Sequence, residues 1–453
     1  MNPTAQNLEE ASQSDFAWRS EVYAWSVVGL LTVAFTFSMI DRMILTLLVE
    51  PIKADFGLSD TEISLLHGLA FTLLYVVVGL PMGRLTDRYS RRTIAGVSIF
   101  FWSLATALCG AASNFIQLFL ARVGVGVGEA GLSPAANSLI ADYFPPERLA
   151  RPIAYFSIGG SAGAGIAYIF GGAVVDYVSG MGPITVPLLG EIRPWQAAFF
   201  VVGLPGMALA FLFALVREPK RTGRVTDGQA AVSISQVLAF MFLRKRFFVS
   251  HFAAAALAGL AVLALHAWMP TFLIRNFGLT PGQVGGGYGL VVLVGGVSGL
   301  VTAGWLADHL AARGLRDSHI VVARGYVLLA IIPAILAPFA PTFFWSLVLA
   351  GVGVFGLASA IALTPVALQI VVPNEMRGLV YAIYLLVLSL VGYAIGPTLV
   401  ALITDNLFKD EMMVGASIAV VVAIGAPLSA VFYSLSRRAY NALSESSPHR
   451  DKK

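Results

Sequence analysis

Apolar residues run along this chain in blocks, each long enough to span the roughly 30 Å hydrocarbon core of a bilayer, for which about 20 residues suffice. Twelve such blocks can be counted, at approximately 22–49, 61–82, 92–112, 115–143, 148–178, 195–216, 246–275, 281–310, 319–339, 341–372, 376–406 and 411–436. Short polar connections separate them. The longest polar stretch away from the ends is 217–245, between blocks six and seven. The pattern predicts an all-α membrane protein of two six-helix halves, at 22–216 and 246–436, with tails at 1–21 and 437–453. Within 217–245, Ile234, Val237, Leu238, Met241 and Phe242 recur at helical spacing, so an amphipathic helix along the membrane surface is expected there.

Composition agrees with that class. Hydrophobic residues make up 57% and charged residues 12% of the chain, and mean hydropathy is +0.80, whereas soluble domains carry about 25% charged residues. The first twenty residues are polar, with Glu9, Glu10 and Asp15 and no apolar core of a cleavable signal. The single Cys109 excludes an intrachain disulfide. Most of the 29 Lys and Arg fall in the tails and in the connections on one side; only Lys53, Arg193, Arg275 and Lys409 lie in connections on the other. The positive-inside rule then places both termini in the cytoplasm of a cell whose inner (plasma) membrane holds the protein. The net charge of +4 reads as topology, not as a nucleic-acid footprint.

The most charged connection is Gly83-Arg84-Leu85-Thr86-Asp87-Arg88-Tyr89-Ser90-Arg91-Arg92, read as a cytoplasmic loop after block two. Its skeleton returns as Gly304-Trp305-Leu306-Ala307-Asp308 at the end of block eight, as a duplicated protein requires. Block four ends in Phe144-Pro145-Pro146-Glu147-Arg148 and block ten in Val372-Pro373-Asn374-Glu375-Met376-Arg377, a second weak repeat. Small-residue runs in block five (Gly159, Gly160, Gly163, Gly165, Gly171, Gly172) and block eleven (Gly392, Gly396, Pro397) permit the close helix contacts that bilayer packing needs.

Asp41, Arg42, Arg122 and Glu129 are the ionisable acids and arginines deep inside the blocks. A charge at mid-membrane costs on the order of 2.5–3.5 kcal/mol on insertion scales, so such residues are functional by default. Arg122 and Glu129 share one helix face, while the adjacent Asp41 and Arg42 point about 100° apart. A carboxyl in a cavity that alternates between wet and closed can load and unload a proton, which makes Asp41 and Glu129 the expected proton carriers. Arg42 and Arg122 would hold those acids when ionised and bind an anion when they are protonated, since guanidinium is planar and permanently charged. His67, His251 and His266 read as packing residues. The C-terminal half offers aromatics instead, and Trp268, Tyr381 and Tyr384 are expected to wall an apolar substrate tail. Gly124-x-Gly126-x-Gly128 superficially matches a dinucleotide fingerprint, but no strand precedes it. No metal-ligand spacing, nucleophile–base set or cofactor motif is present, so neither a metal nor a cofactor is expected and the chain does not read as an enzyme.

Twelve spans, a central linker and Gly83-x-Leu-x-Asp87-Arg88-x-x-Arg91-Arg92 together resemble the major facilitator superfamily. Asp41-Arg42, Trp102-Ser103 and Arg122-Val123-Gly124-Val125-Gly126-Val127-Gly128-Glu129-Ala130 resemble its Spinster-like branch. That resemblance implies alternating access, with transport of sphingolipid phosphates or lysophospholipids. It also implies a cytoplasmic gate in which Asp87 faces the start of helix eleven, near Arg377 and Gly378. In that gate Arg88 pairs with Asp142, and Gly83 and Arg91 complete the set. The expectation is therefore a monomeric, proton-coupled transporter of an amphipathic, lipid-like anion. The same fold carrying a small hydrophilic organic acid, or a non-transporting sensor or scaffold, are the alternatives.

Overall fold

The computed structural model describes residues 21–145, 148–181, 184–186, 190–219 and 233–445. The two tails up to residue 20 and from 446, Glu147 of the repeated motif, and Arg221 and Arg224 of the linker lie outside them. Among the described residues, twelve helices are long and apolar enough to cross a membrane. Spans 1–6 are Glu21–Leu47, Asp60–Gly79, Arg91–Gly110, Phe115–Tyr143, Arg151–Ser179 and Pro194–Leu215. Spans 7–12 are Lys245–Phe277, Pro281–Ala312, Ser318–Phe339, Phe343–Val371, Asn374–Phe408 and Glu411–Leu443. Helix is the only open-ended way to satisfy backbone groups in hydrocarbon. Side-chain caps finish several ends: Asn114 accepts from Gln117 N–H, Thr342 from Trp345 N–H, and Thr280 forms a capping box with Gln283.

Two boundaries differ from the hydropathy reading. The expected loop Gly83–Arg92 is almost wholly helical, because span 2 continues as Leu69–Arg88 and the next helix opens at Arg91. Hydropathy marks where a helix leaves the lipid, not where it stops, and Arg84, Leu85 and Arg88 are good helix formers in water. Likewise the last helix, Val414–Glu445, runs past the expected edge at 436, held by Arg437 and Asn441 on Asp317. In the linker, Ile234–Leu243 is helical, and Ile234, Leu238 and Phe242 expose one apolar stripe while Val237 is buried.

Three spans are broken near their middles. Span 2 divides at Gly68, between helices Asp60–His67 and Leu69–Arg88. Span 4 divides after Glu129, before Leu132–Tyr143. Span 11 widens into a π-helical turn at Ser389–Ile395, a distortion that often marks functional positions.

The halves meet on the face opposite the arginine-rich connections. There span 5 lies on span 8, with backbone close to backbone at Gly165 and Gly289 and at Gly172 and Gly285, where a Cβ would collide. Gly68 likewise packs directly on the Tyr393 carbonyl of span 11. Toward the arginine-rich face the halves separate. The Cβ positions of Gly83 and Gly378 look into open space, and Tyr381 and Leu385 are exposed. A short antiparallel hairpin, Ile184–Val186 with Gly190–Ile192, follows span 5.

Candidate functional site

The broken helices converge on one cavity between the halves. Arg42, Met43, Thr46, His67, Phe71 and Arg122 line it from the N-terminal half, and Leu263, His266, Ala267, Tyr393 and Pro397 from the C-terminal half. Arg42 is its centre. Its Nε donates to Glu129 Oε2 at 2.7 Å, its Nη2 reaches the same oxygen, and Ser38 Oγ donates to that oxygen at 2.7 Å. Its guanidinium carbon lies 4.2 Å from the Phe71 ring centroid, 5.4 Å from Tyr75 and 5.9 Å from Tyr393, within cation–π range. The other carboxylate oxygen of Glu129 is buried and has no hydrogen-bond partner.

Arg122 does not pair with an acid. Its Nη1 donates to the carbonyl of Asp41 at 2.8 Å and its Nη2 to that of Arg42 at 3.5 Å, bracing the backbone that presents both side chains. Asp41 is 1% exposed. It turns away from Arg42 toward Trp102 and Thr106, and its Oδ1 is also without a hydrogen-bond partner. The glycine-rich run Gly124–Gly128 explains the closeness. A side chain at Gly126 would strike the Phe71 carbonyl, and one at Gly128 the Trp102 backbone, so span 4 packs tightly between spans 2 and 3. All four charges singled out by sequence therefore sit in one cluster.

The aromatic wall is placed differently. Trp268 is fully buried, with its indole N–H on the Pro397 carbonyl at 2.9 Å, so it backs the cavity instead of lining it. Tyr384 is 2% exposed, its hydroxyl 3.4 Å from the Ile361 carbonyl. Tyr381 faces the open half, its ring 5.8 Å from that of Tyr384. From the C-terminal half the ring that reaches Arg42 is Tyr393, which lies in the π-turn.

On the arginine-rich face the expected Arg88–Asp142 pair is not formed. Arg88 is exposed, and Asp142 is taken by Arg91, which also holds Glu218 at 2.8 Å and Ser138. The reason is geometric: Arg91 opens span 3 and points inward, whereas Arg88 ends span 2 and points to solvent. Glu218 also accepts from the backbone N–H of Arg92 at 3.0 Å. Burial alone would raise its carboxyl; the Arg92 N–H and the Arg91 guanidinium outweigh that and hold it below the usual carboxylate range. These bonds stay within the N-terminal half. Arg377 donates to its own neighbour's carbonyl, Val372. Asp87 lies on the helix, one turn after Gly83.

The opposite face carries a cluster that sequence reasoning missed. Arg275 of span 7 grips Asp60 of span 2 with both Nη atoms, each at 2.8 Å, and Glu50 through Nε at 2.8 Å. Lys53 pairs with the same Asp60 and with Glu411 at 2.9 Å. Asp60 is 0% and Arg275 5% exposed at the side chain. Asp405 adds a clamp on Thr61, accepting from its N–H at 2.7 Å and its hydroxyl at 2.6 Å. These residues join the two halves.

Residues 30–397 match the family model described as Major Facilitator Superfamily. An "MFS-type efflux pump" of Mycolicibacterium smegmatis is 32% identical over 92% of this chain and 93% of its own length. A "Probable L-galactonate transporter" of Escherichia coli is 26% identical over 72% of this chain and 71% of its own. A solved bacterial homolog of the human lysosomal transporter Spinster, in an inward-facing and unoccupied conformation, matches with a TM-score of 0.75 and 25% identity, covering 94% of this chain and 98% of that one. The chain is a multi-pass membrane transporter of the major facilitator superfamily and belongs to its Spinster-like branch.

Proposed function

We propose that this protein is a proton-coupled secondary transporter of an amphipathic organic anion, its arginine-rich face and both termini cytoplasmic, acting as a monomer. The observation that carries this reading is the Arg42–Glu129 pair, set in the cavity between the halves with only one carboxylate oxygen engaged. An anion entering the cavity competes with Glu129 for the same guanidinium. When a proton binds the Glu129 carboxylate, its hold on Arg42 weakens and the fork is free for the anion, so anion and proton are bound together. Asp41 is the second buried acid of the cluster and a second proton carrier. Arg122 keeps the Asp41–Arg42 backbone in place and also lines the cavity, with its Nε buried and without a partner.

The apolar part of the substrate would lie along the exposed Tyr381 and Leu385 of span 11, below Tyr393, on the open side. A lipid-like anion suits that surface and is what the resemblance to the Spinster-like branch implies. A small hydrophilic acid is the second reading, favoured by the relative named as an L-galactonate transporter.

The test is binding of a single-chain lysophospholipid anion and of its neutral analogue to the purified protein, followed by proteoliposome flux under a proton gradient. Anion binding is expected to exceed neutral binding and to strengthen on acidification in wild type, and to lose its pH dependence in Glu129→Gln. Equal binding of the neutral analogue sinks the anion assignment; pH dependence surviving in Glu129→Gln and in Asp41→Asn sinks the coupling assignment.

A further inference from the structure

Two imidazoles face the cavity from opposite halves with nitrogens unspent. His67 ends the short helix Asp60–His67 of span 2, and His266 lies in span 7. Both line the cavity together with Arg42 and Arg122. The Nε2 atom of each is buried and meets no hydrogen-bond partner. His251 shows what a packing histidine looks like in this fold: its Nδ1 sits 2.9 Å from Ser436 Oγ and its Nε2 2.9 Å from the Thr364 carbonyl. Leaving a buried polar group unmatched costs about 1–3 kcal/mol, so two of them on one cavity are costly unless a bound group answers them.

The chemistry of the missing partner is constrained. A histidine nitrogen is donor or acceptor according to tautomer, whereas an oxyanion only accepts. A hydroxyl does both and satisfies either ring in either state. Arg42, on the N-terminal wall, supplies the contact for the charged oxygens.

We propose that His67 and His266 form a second, hydrogen-bonding pole of the substrate site. The ligand class is then a hydroxylated anion: a head group that carries at least one hydroxyl beyond its oxyanion, on a lipid or on a free polyhydroxy acid. This rests on the reading of Arg42 as the anion contact. The same two helices also hold the closed face. Asp60 precedes His67 by about two helical turns on one helix, and Arg275 follows His266 within span 7, the two charges being paired at 2.8 Å. A hydroxyl bridging the two imidazoles joins spans 2 and 7 about two helical turns from that pair, and so favours the state in which the pair is made.

The experiment uses the full-length protein purified in detergent and four probes in matched pairs. Lysophosphatidylglycerol is set against an alkyl phosphate of equal chain length, and gluconate against hexanoate. Wild type is expected to bind the hydroxylated member of one pair about tenfold or more tighter, and the pair that responds tells lipid from free acid. His67→Leu and His266→Leu should each lower that preference about threefold to tenfold, the worth of one hydrogen bond. Both should leave the affinity for the deoxy member within about twofold, and His67→Gln should recover part of the loss. Ligand-free melting temperatures check that the variants fold. An anion preference with no hydroxyl preference, or leucine variants that weaken both members of a pair alike, overturns the histidine pole while leaving Arg42 in place. If none of the four anions binds wild type more tightly than Arg42→Gln, the anion reading itself fails and this inference falls with it.

Discussion

Arg42 and Arg275 are both arginines sunk beside carboxylates, and they are satisfied in opposite ways. Arg275 spends its fork on both oxygens of Asp60, places Nε on Glu50, and shares Asp60 with Lys53. Arg42 crowds two nitrogens onto a single oxygen of Glu129, is otherwise covered by rings, and stands among buried polar atoms of Asp41, Arg122 and Glu129 that lack partners. Bidentate pairs are strong and geometrically specific, and a buried network with every member satisfied rigidifies. A network left half-satisfied is costly as it stands and can accept a ligand. On the proposed reading the Arg275 site holds its face shut and the Arg42 site takes the anion.

The largest expected effect comes from removing the receiving arginine. Arg42→Gln leaves Glu129 buried without its cation, and breaking one side of a buried pair costs about 3–5 kcal/mol. Anion affinity should drop by two orders of magnitude or more, read by calorimetry. Arg42→Lys keeps the charge but loses the planar fork, and its affinity should fall between wild type and Arg42→Gln. Normal anion binding by Arg42→Lys would remove the fork from the account. Glu129→Gln should behave differently again. It takes away the competitor, so the anion still binds, but accumulation driven by a proton gradient is lost.

Breaking the satisfied site should act on population instead of affinity. Arg275→Gln or Asp60→Asn removes a buried bidentate pair between halves. It should favour opening of the Lys53–Glu411 face by at least tenfold, about 1.4 kcal/mol. Spin labels flanking that face on spans 2 and 7 would report the longer distance. Restoration of the short distance in the charge-swapped double variant would separate this from misfolding. If the single variants keep the wild-type distances, the cluster is an ornament of the closed state and holds nothing.

The comparison also explains what could be read from the chain itself. Asp41, Arg42, Arg122 and Glu129 stand out because a charge inside an apolar span is expensive, so rarity alone flags them. Asp60, Lys53, Arg275 and Glu411 lie at span ends, where charge is ordinary, and Asp60 and Arg275 are separated by 215 residues. Only the fold reveals that they are neighbours. The histidines fall between these cases. His67, His251 and His266 look alike in sequence, and what separates them is whether a second helix offers a partner, as Ser436 and Thr364 do for His251. Tyr393 is visible in the sequence as one more aromatic of the C-terminal spans; that it is the one reaching Arg42 depends on a π-turn, which no helical periodicity anticipates.

A smaller effect is expected at Glu218, which anchors Arg91 within one half. Its folded-state carboxyl is held below the usual range, so its contribution is present above the unfolded value of about 4.3 and is lost as pH falls through the lower folded value. Acidification from pH 7 to 5, the range in which anion binding is expected to strengthen, should therefore leave this anchor intact. Because the carboxyl is 26% exposed at the side chain, the contribution is about 1 kcal/mol or less. The melting difference between wild type and Glu218→Gln should be constant between pH 7 and 5 and shrink below about pH 4. A difference that already vanishes at pH 5 would mean that the Arg91 and Arg92 contacts do not hold Glu218 in its charged form.

The smallest effect is expected at Asp87, and it sharpens the comparison because it should move the population the same way that restoring the closed face does. Asp87 lies one turn beyond Gly83, and the Cβ positions of Gly83 and Gly378 see open space, so spans 2 and 11 stand apart at this end in the present state. On the proposed alternating-access reading, the contact that the family resemblance implies for Asp87, with the positive end of helix eleven, is made in the alternate state, where this face is closed. An acid at a helix start is worth about 0.3–1 kcal/mol, and about 2 when partly buried. Asp87→Asn should therefore enrich the present conformation about two- to fivefold and slow turnover, with substrate affinity in this conformation unchanged. Arg275→Gln, by contrast, should deplete it. Labels at positions 84 and 377, both at exposed sites, would record opposite changes in the fraction of long distances for the two variants. If Asp87→Asn leaves that fraction and the transport rate as they are, the acid is an ordinary member of a charged helix end, and closure of this face must be sought in other contacts.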